Sequence, residues 1–271
     1  MSQYYSKVSK RLLMKLLKRI VKGMNSRCEK DQRLCNSKDK ARIIALVGPI
    51  GVGKTTIRRY IALKLREKGV KVTESYIRLN HLFAYFYLLL ITKILRYRGF
   101  EPISTLDKHN PHLFIRLFPL WKRLMILSLI VKYLMNIYIP YRVLRRNIVV
   151  EDYLPVTVCD LIWVTMWFKI PLESILNELS ITLKLLVKLP IEIIYLKASH
   201  ENLVKRWIIR RSFERDKIYM SNNFSYIRFH ESCIKTLLKS LHFNSNVTVV
   251  DTSNTRISEV VEFIIHRLMK S

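Results

Sequence analysis

Glycine is scarce in this chain, and its few positions limit where a nucleotide could bind. The 271 residues include only six glycines, and none follows Gly99. A glycine-rich phosphate loop is therefore excluded after residue 99, because such loops need glycine to turn backbone N–H groups toward phosphate. The same scarcity excludes the Gly-Gly signature of transporter-type ATPases.

Acidic residues are also few. Asp and Glu together number 20 against 48 Lys and Arg, which gives a formal net charge of +28. This excess predicts attraction to polyanions: nucleotides, nucleic acid or an anionic membrane surface. Half of the residues are hydrophobic, so a sizeable core can form and general disorder is excluded.

The cysteines do not show the paired spacing of a zinc site. There are four of them: Cys28, Cys35, Cys159 and Cys233. A disulfide scaffold is not typical of a chain of this length, so we expect buried or idle thiols in a reducing compartment. The first twenty residues are basic throughout and lack the long apolar run of a secretory signal. Together these features predict a cytoplasmic protein.

Uninterrupted hydrophobic runs are short. Leu79–Thr92 is uncharged over fourteen residues, fewer than the roughly 20 that a membrane-spanning helix needs. Leu124–Tyr141 is longer but contains Lys132 and Pro140. We therefore expect both segments to form buried helices of the core, while membrane attachment stays open.

Residues 5–22 have the pattern of one basic amphipathic helix. Leu12, Leu16 and Ile20 recur at helical spacing, while lysines and arginines fill the other face and acids are absent. Three interpretations remain: the helix lies on an anionic membrane, binds nucleic acid, or packs on the main domain with a solvated basic face. Residues 23–40 are polar and aperiodic, which predicts a linker, so residues 1–40 form a separate unit.

From residue 41 onward, short apolar runs alternate with longer helical patterns, which is typical of an α/β fold. The runs that predict strands are 42–47, 70–76, 147–151, 191–196 and 247–251. Because these runs are apolar on both faces, we expect one five-stranded parallel sheet with helices on both faces. The sheet belongs to a single domain over residues 41–271, with a long helical insert over about residues 77–146.

Residues 48–56 read GPIGVGKTT, which satisfies the phosphate-loop motif G-x-x-x-x-G-K-[ST] between a predicted strand and a predicted helix. Composition predicts roughly 0.003 chance matches to this motif. Lys54 would reach the β and γ phosphates of ATP, and the Thr55 hydroxyl would coordinate Mg²⁺. The residues expected to bind ATP are Gly48, Ile50, Gly51, Val52, Gly53, Lys54, Thr55 and Thr56.

Missing motifs narrow the class of phosphate-loop protein. Neither N-K-x-D nor D-x-x-G occurs in the chain, which excludes translation-type GTPases. The chain is also too short for most motor ATPases. A small phosphotransferase remains.

Residues 43–267 resemble the thymidylate kinase branch of the nucleoside and nucleotide kinases. Beside the phosphate loop, IVVEDYLPVTVCDL at 148–161 is similar to that branch's strand ending in Asp-Arg-Tyr before a helix. PIEIIYLKASHENLVKRWIIRRSFERD at 190–216 is similar to its fourth strand, the next helix and an arginine-bearing lid. The resemblance implies the P-loop nucleotide kinase fold, with the lid over about residues 206–220.

The resemblance also implies roles for individual residues. Glu151 stands where the family has Asp, and it would bind Mg²⁺ through water or take the acceptor's proton. The lid candidates are Arg206, Arg210 and Arg211, whose charge would follow the migrating phosphate. The alternatives are an acid at a strand end for Glu151 and a solvated basic helix face for the three arginines.

Three positions differ from the family pattern. Ile50 replaces an Asp that touches the substrate's sugar, and Asp152 replaces the Arg of Asp-Arg-Tyr, which reverses a phosphate-binding charge. Arg78, after the second predicted strand, is a plausible stand-in for a family arginine. Thymidylate is therefore a doubtful acceptor, although the ATP-binding half of the pattern is well supported.

The insert is where such kinases build the acceptor pocket. Its aromatic residues are Phe83, Tyr85, Phe86, Tyr87, Phe114, Phe118, Trp121, Tyr133 and Tyr138, and we expect them to form core more often than to stack on a base. Its basic residues Arg116, Lys122 and Arg123 either meet an acceptor phosphate or face solvent. The histidines His81, His109, His112 and His200 lack metal-ligand spacing.

Two main functions remain, and a third, a nucleic-acid 5′-end kinase, would combine both. The first is an ATP-dependent kinase, with Mg²⁺, that moves the γ-phosphate of ATP to a nucleoside monophosphate or nucleoside. The alternative is an ATP-binding P-loop protein without small-molecule kinase activity, which acts on nucleic acid or at a membrane surface through the basic helix. The sequence leaves homodimer formation open.

Overall fold

The structure is a computed structural model that describes residues 41–79, 81–99, 101–187, 189, 191–209, 220–240 and 247–270. The predicted basic helix and linker over 1–40 lie outside these ranges, as do Arg210, Arg211 and most of the predicted lid. Their assignments stay predictions.

Five parallel strands form one sheet in the order β2-β3-β1-β4-β5. The strands are β1 Ile43–Val47, β2 Val72–Tyr76, β3 Asn147–Glu151, β4 Ile191–Lys197 and β5 Val247–Asp251. β1 lies at the centre between β3 and β4, with Leu46 beside Glu151 on one side and beside Ile194 on the other. The predicted five-stranded parallel sheet is confirmed, and β3 and β5 have the predicted bounds.

Helices cover both faces of the sheet. They are α1 Lys54–Glu67, α2 Leu82–Ile94, α3 Pro102–His109, α4 Pro111–Tyr133, α5 Ile139–Arg142, α6 Leu154–Trp167, α7 Leu176–Val187, α8 His200–Ile209, α9 Met220–Ser240 and α10 Ile257–Lys270. A π-helical turn, Leu134–Tyr138, joins α4 to α5, and a 3₁₀ turn, Leu172–Ile175, precedes α7.

Two hydrophobic cores follow from the alternation of strand side chains. Ile44 and Leu46 of β1 face α1 and α10, whose Ile57, Ile61 and Val260 complete the smaller core. The alternate residues of β1 face the larger core, which is built from the insert helices, α6, α7 and α9. Because both faces of each central strand are buried, the continuous apolar runs of the sequence are explained.

The insert packs as helices α2 to α5 on the larger core. Pro102 and Pro111 each occupy the first turn of a helix, and the side chains of Glu101 and Asn110 accept hydrogen bonds from backbone N–H groups at those starts. No helix among the described residues is long and apolar enough to cross a membrane.

The expectation that the insert aromatics form core is confirmed for Phe114, Phe118, Trp121 and Tyr133, all of which are buried. It is wrong for Phe83 and Phe86, whose side chains are exposed. The sequence pattern did not distinguish the exposed aromatic residues of α2 from buried ones. Because α2 is apolar nearly all round, the spacing of its apolar residues does not mark the inward face.

The described cysteines are buried free thiols in the larger core. Cys159 of α6 and Cys233 of α9 have their Sγ atoms 2.7 Å apart. Burial and the neighbouring thiol raise the pKa of Cys159 well above its usual range. The burial of both thiols agrees with the expectation from the sequence, and their contact joins α6 to α9.

Candidate functional site

The phosphate-loop motif joins the carboxyl end of β1 to the start of α1. Ligands of open α/β sheets bind at this edge. A Cβ atom added at Gly48 would lie 2.3 Å from the backbone oxygen of Leu196 in β4, so only glycine fits there. Gly53 caps α1 with φ at +100°, a left-handed conformation that glycine adopts freely. The loop is thereby held against the sheet with the N-terminus of α1 pointing into a cleft.

Lys54 is buried in this loop and makes three polar contacts. Its Nζ donates to the carbonyl oxygens of Gly48 at 2.8 Å and Pro49 at 3.0 Å. It also lies 3.2 Å from Oδ1 of Asp152. The ammonium group is therefore fixed at the centre of the loop, where the phosphate-loop chemistry requires it.

Glu151, the last residue of β3, is buried and uses both carboxylate oxygens. Thr55 donates its hydroxyl hydrogen bond to Oε1 at 2.6 Å, and Arg58 Nη1 donates to Oε2 at 3.1 Å. A hydroxyl and a carboxylate are hard oxygen ligands of the kind that Mg²⁺ prefers, so this pair fits the ion. Among the described residues no group of three His, Cys, Asp or Glu could hold a metal.

Arg78 supplies a guanidinium beside Asp152. Its Nε donates to Oδ2 of Asp152 at 3.2 Å, and its Nη2 lies 4.0 Å from Oε1 of Glu151. Asp152 has a positive φ of 52°, a conformation in which Asp and Asn are enriched among non-glycine residues. The carboxylate at position 152 thus holds an arginine from the β2–α2 connection beside Lys54 and Glu151.

A histidine fixes the backbone at Arg78. The backbone N–H of Arg78 donates to Nε2 of His81 at 2.7 Å. Burial, with the charges of Lys132 and Arg78, lowers the pKa of His81 to about 4. The imidazole is therefore neutral near pH 7 and remains a hydrogen-bond acceptor.

The opposite wall of the cleft is polar. Asp160 of α6 and Tyr226 and His230 of α9 line it, facing Ile50 and Lys54 of the loop, and the cleft has a volume of about 260 Å³. Tyr226 donates its hydroxyl to Oδ1 of Asp160. Burial raises the pKa of Asp160 to about 7, with a smaller contribution from Asp152, against the hydrogen bond from Tyr226 and the charges of Lys54 and Arg78.

The comparison with solved structures agrees with this architecture. A deoxyadenosine kinase from M. mycoides, solved with bound dATP, matches with a TM-score of 0.51 and 15% identity, over 83% of this chain and 98% of that chain. This chain has the P-loop nucleotide kinase fold. A thymidylate kinase from Ehrlichia chaffeensis matches with a TM-score of 0.47 and 12% identity, over 86% of this chain and 100% of that chain. No family model and no curated protein sequence matches the chain.

In this P-loop nucleotide kinase fold, most of the predicted site residues meet. Those that line the cleft are Gly48, Ile50, Gly51, Gly53, Lys54, Thr55 and Glu151. Val52 is buried, and Thr56 is half-buried within α1. Arg206 donates to the carbonyl oxygens of Val52 and Thr252, so it braces the phosphate loop against the β5–α10 connection. Its predicted lid role remains a prediction.

Sequence reasoning missed Arg58, which orients Glu151 and also lies 3.3 Å from Glu74. The spacing of Arg58 from the loop residues could have predicted its role, because residues three or four apart share one face of a helix. Arg58 is three residues after Thr55 and four after Lys54 on α1. A basic side chain at position 58 can therefore contact Glu151, the same carboxylate that Thr55 contacts.

Sequence reasoning also gave no role to Asp160, Tyr226 and His230. Local pattern could not have found them, since α6 and α9 are separated by more than fifty residues of chain. They are brought together only because both helices pack on the larger core.

The raised pKa of Asp160 predicts a pH-dependent stability. A carboxyl whose pKa is raised by folding contributes stability below its unfolded pKa of 3.8 that is lost as pH rises through about 7. Asp160→Asn keeps the shape of the protonated group and an acceptor for Tyr226. We expect the free energy of unfolding of this variant to exceed that of the unsubstituted protein by a margin that grows with pH. Between pH 5 and pH 8 the margin should increase by up to about 3 kcal/mol.

Urea unfolding at the two pH values measures this difference, with Asp107→Asn on α3 as the matched control. A gain of the same size at pH 5 and pH 8 would mean that Asp160 is an ordinary ionised carboxylate at both pH values.

Proposed function

We propose that this chain is an ATP-dependent kinase that transfers the γ-phosphate of ATP to a nucleoside or nucleoside monophosphate. The observation that carries the proposal is the 2.6 Å hydrogen bond from Thr55 to Glu151, beside the buried Lys54. This geometry puts a hydroxyl, a carboxylate and an ammonium group at the carboxyl edge of the sheet, in the arrangement that phosphoryl transfer uses. The likeness in fold to a deoxyadenosine kinase supports the same class of reaction.

Each residue of the cleft has a separate role in the proposed phosphoryl transfer. Loop N–H groups and Lys54 bind the β and γ phosphates of ATP. Thr55 and Glu151 would hold Mg²⁺, which would neutralise phosphate charge there. An acceptor oxygen forms a bond to the γ-phosphorus while the bond to the β–γ bridging oxygen breaks, and ADP leaves. For a hydroxyl acceptor, the proton passes to the carboxylate of Glu151. Arg78 stabilises charge on the transferred group.

Removal of the Arg78 guanidinium should slow the reaction without unfolding the protein. Arg78 is 59% exposed in its side chain and touches the cleft through Asp152, so Arg78→Ala should leave the melting temperature nearly unchanged. We expect kcat to fall by about 100-fold, because the lost interaction acts on developing charge. Steady-state kinetics test this, with Arg96→Ala, an exposed arginine outside the cleft, as control; equal kcat values in the two variants would contradict the role.

The function itself is tested by ADP formation from Mg-ATP with purified full-length protein. Each nucleoside, each nucleoside monophosphate and a 5′-hydroxyl oligonucleotide are added separately. Stimulation by a monomeric acceptor, with the phosphorylated product identified by mass, is the expected result. ATP binding without stimulation by any small acceptor would overturn the proposal.

A second function, action at an anionic membrane surface, is favoured by one feature of α2. Phe86, Leu90 and Ile94 are 62%, 60% and 69% exposed at intervals of four residues, so they form one apolar stripe. The exposed Lys93 and Arg96 flank its end. An apolar stripe with basic neighbours is suited to the interface of an anionic bilayer.

Flotation with vesicles of anionic or neutral lipid tests this second function. Salt-sensitive binding to anionic vesicles alone, reduced by the triple replacement of Phe86, Leu90 and Ile94 by Ser, would support it. Deletion of residues 1–40 then measures the part due to the predicted basic helix. A kinase with a small acceptor should keep its turnover after that deletion.

A further inference from the structure

The cleft lacks the excess of positive charge that marks the rest of this chain. Among the described residues that line it, Lys54 and Arg78 are the cations, while Glu151, Asp152 and Asp160 are carboxyl groups. Asp152 lies 3.2 Å from both cations. Lys54 is assigned to the phosphates of ATP, so Arg78 is the remaining described cation that lines the cleft, and it is paired with Asp152. An acceptor with its own phosphate would bring nearly two further negative charges next to these carboxyl groups, which is unfavourable.

The wall opposite the phosphate loop is built for hydrogen bonding. His230 is 2% exposed and lines the cleft, and within the described part of the chain its Nδ1 has no hydrogen-bond partner. Burial and the charge of Lys54 lower the pKa of His230 to about 3, so the imidazole is neutral. A buried polar atom without a partner is costly unless a ligand or water satisfies it.

One exposed side chain on the loop side of the same cleft offers no hydrogen-bonding group. Ile50 is 49% exposed there and offers an apolar side chain. Apart from the reacting hydroxyl, which is assigned to Glu151, the sugar hydroxyl groups of a bound acceptor have polar partners on the α6 and α9 wall, where Tyr226 donates to Asp160.

We propose that the acceptor is an uncharged nucleoside whose sugar hydroxyl groups are bound by Asp160, Tyr226 and His230. This deepens the proposed function and rests on it. The carboxyl group of Asp160 accepts from one hydroxyl, and the neutral imidazole of His230 pairs through Nδ1. The absence of acceptor phosphate keeps the Asp152–Arg78 pair free to meet the transferred group.

The first experiment compares each nucleoside with its own 5′-monophosphate in the ADP assay. We expect kcat/KM to be at least about tenfold higher for one nucleoside than for its monophosphate. If monophosphates are the better acceptors, this inference is overturned while the proposed function stands. If neither class stimulates ADP formation, the proposed function fails.

The second experiment tests the wall itself with analogues of the preferred nucleoside that lack one sugar hydroxyl. The unsubstituted protein should reject the analogue by at least about tenfold in kcat/KM, because a site built to bond a hydroxyl penalises its loss. In Asp160→Ala the preference should collapse to within about twofold, with KM for ATP unchanged. Asp160→Asn, which keeps the bond from Tyr226, should show an intermediate preference and serves if the alanine variant does not fold.

Glu231→Gln is the matched control, because Glu231 neighbours His230 on α9 but has a side chain 42% exposed and pairs with Lys235 at 2.6 Å. It should keep the full preference. Undiminished discrimination in both Asp160 variants would overturn the assignment of the hydroxyl wall.

Discussion

Replacement of Lys54 by Ala should abolish phosphoryl transfer while the protein stays folded. Lys54 is the only lysine that lines the cleft in the described part of the chain, and its Nζ is held by two loop carbonyls. Its charge is needed most when negative charge moves between the β and γ phosphates. We expect kcat/KM to fall by at least about a thousand-fold. The measurement is ADP formation with the best acceptor at saturating Mg-ATP.

Folding must be separated from chemistry in this variant. Removal of the ammonium leaves Asp152 with Arg78 as its remaining ion-pair partner, so a modest loss of stability is expected. Lys64→Ala is the control, since Lys64 lies on the same helix and forms only an exposed pair with Glu262. Full activity in that control with none in Lys54→Ala, at equal circular dichroism, supports the role. Near-normal turnover in Lys54→Ala would contradict the assignment of residues 48–56 as the loop that binds the phosphates of ATP.

The strands and the loop could be predicted because their signals are local. Ile148 to Val150 is apolar on both faces, which a buried central strand requires, and the loop motif has a fixed spacing between β1 and α1. The role of Glu151 was implied by the family resemblance, because Glu151 stands where the family has Asp. The resemblance therefore reached the proposed ATP side of the site through contiguous segments.

The other side of the cleft could not be predicted because it depends on packing between distant helices. Asp160 and His230 are 70 positions apart in the chain, and only the contact of α6 and α9 makes them neighbours. Arg78 illustrates the same limit in part. Its position after β2 suggested a stand-in for a family arginine, but the ion pair with Asp152 that brings it to the cleft required the folded structure.

Glu151→Gln should lower turnover far more than it lowers ATP affinity. Gln keeps the shape of the side chain, because its single amide oxygen can accept from Arg58 while its NH₂ group donates to the Thr55 hydroxyl, but it carries no charge and takes no proton. We expect kcat to fall by about 1,000-fold for a hydroxyl acceptor, with the Kd for ATP changed by less than about fivefold. Kd is measured by calorimetry with a non-hydrolysable ATP analogue, so that binding and chemistry are read separately.

Glu74→Gln is the matched control, because Glu74 shares Arg58 with Glu151 but does not contact Thr55. Its kcat should stay within about threefold of the unsubstituted protein, since this pair is partly exposed. The pH dependence of kcat then separates the two roles of Glu151. A base must be ionised to accept the proton of a nucleoside hydroxyl, so the acid limb of the profile should disappear in Glu151→Gln. A phosphate acceptor is already ionised at neutral pH and needs no base, so a retained limb together with slow turnover would mean that Glu151 serves only the metal.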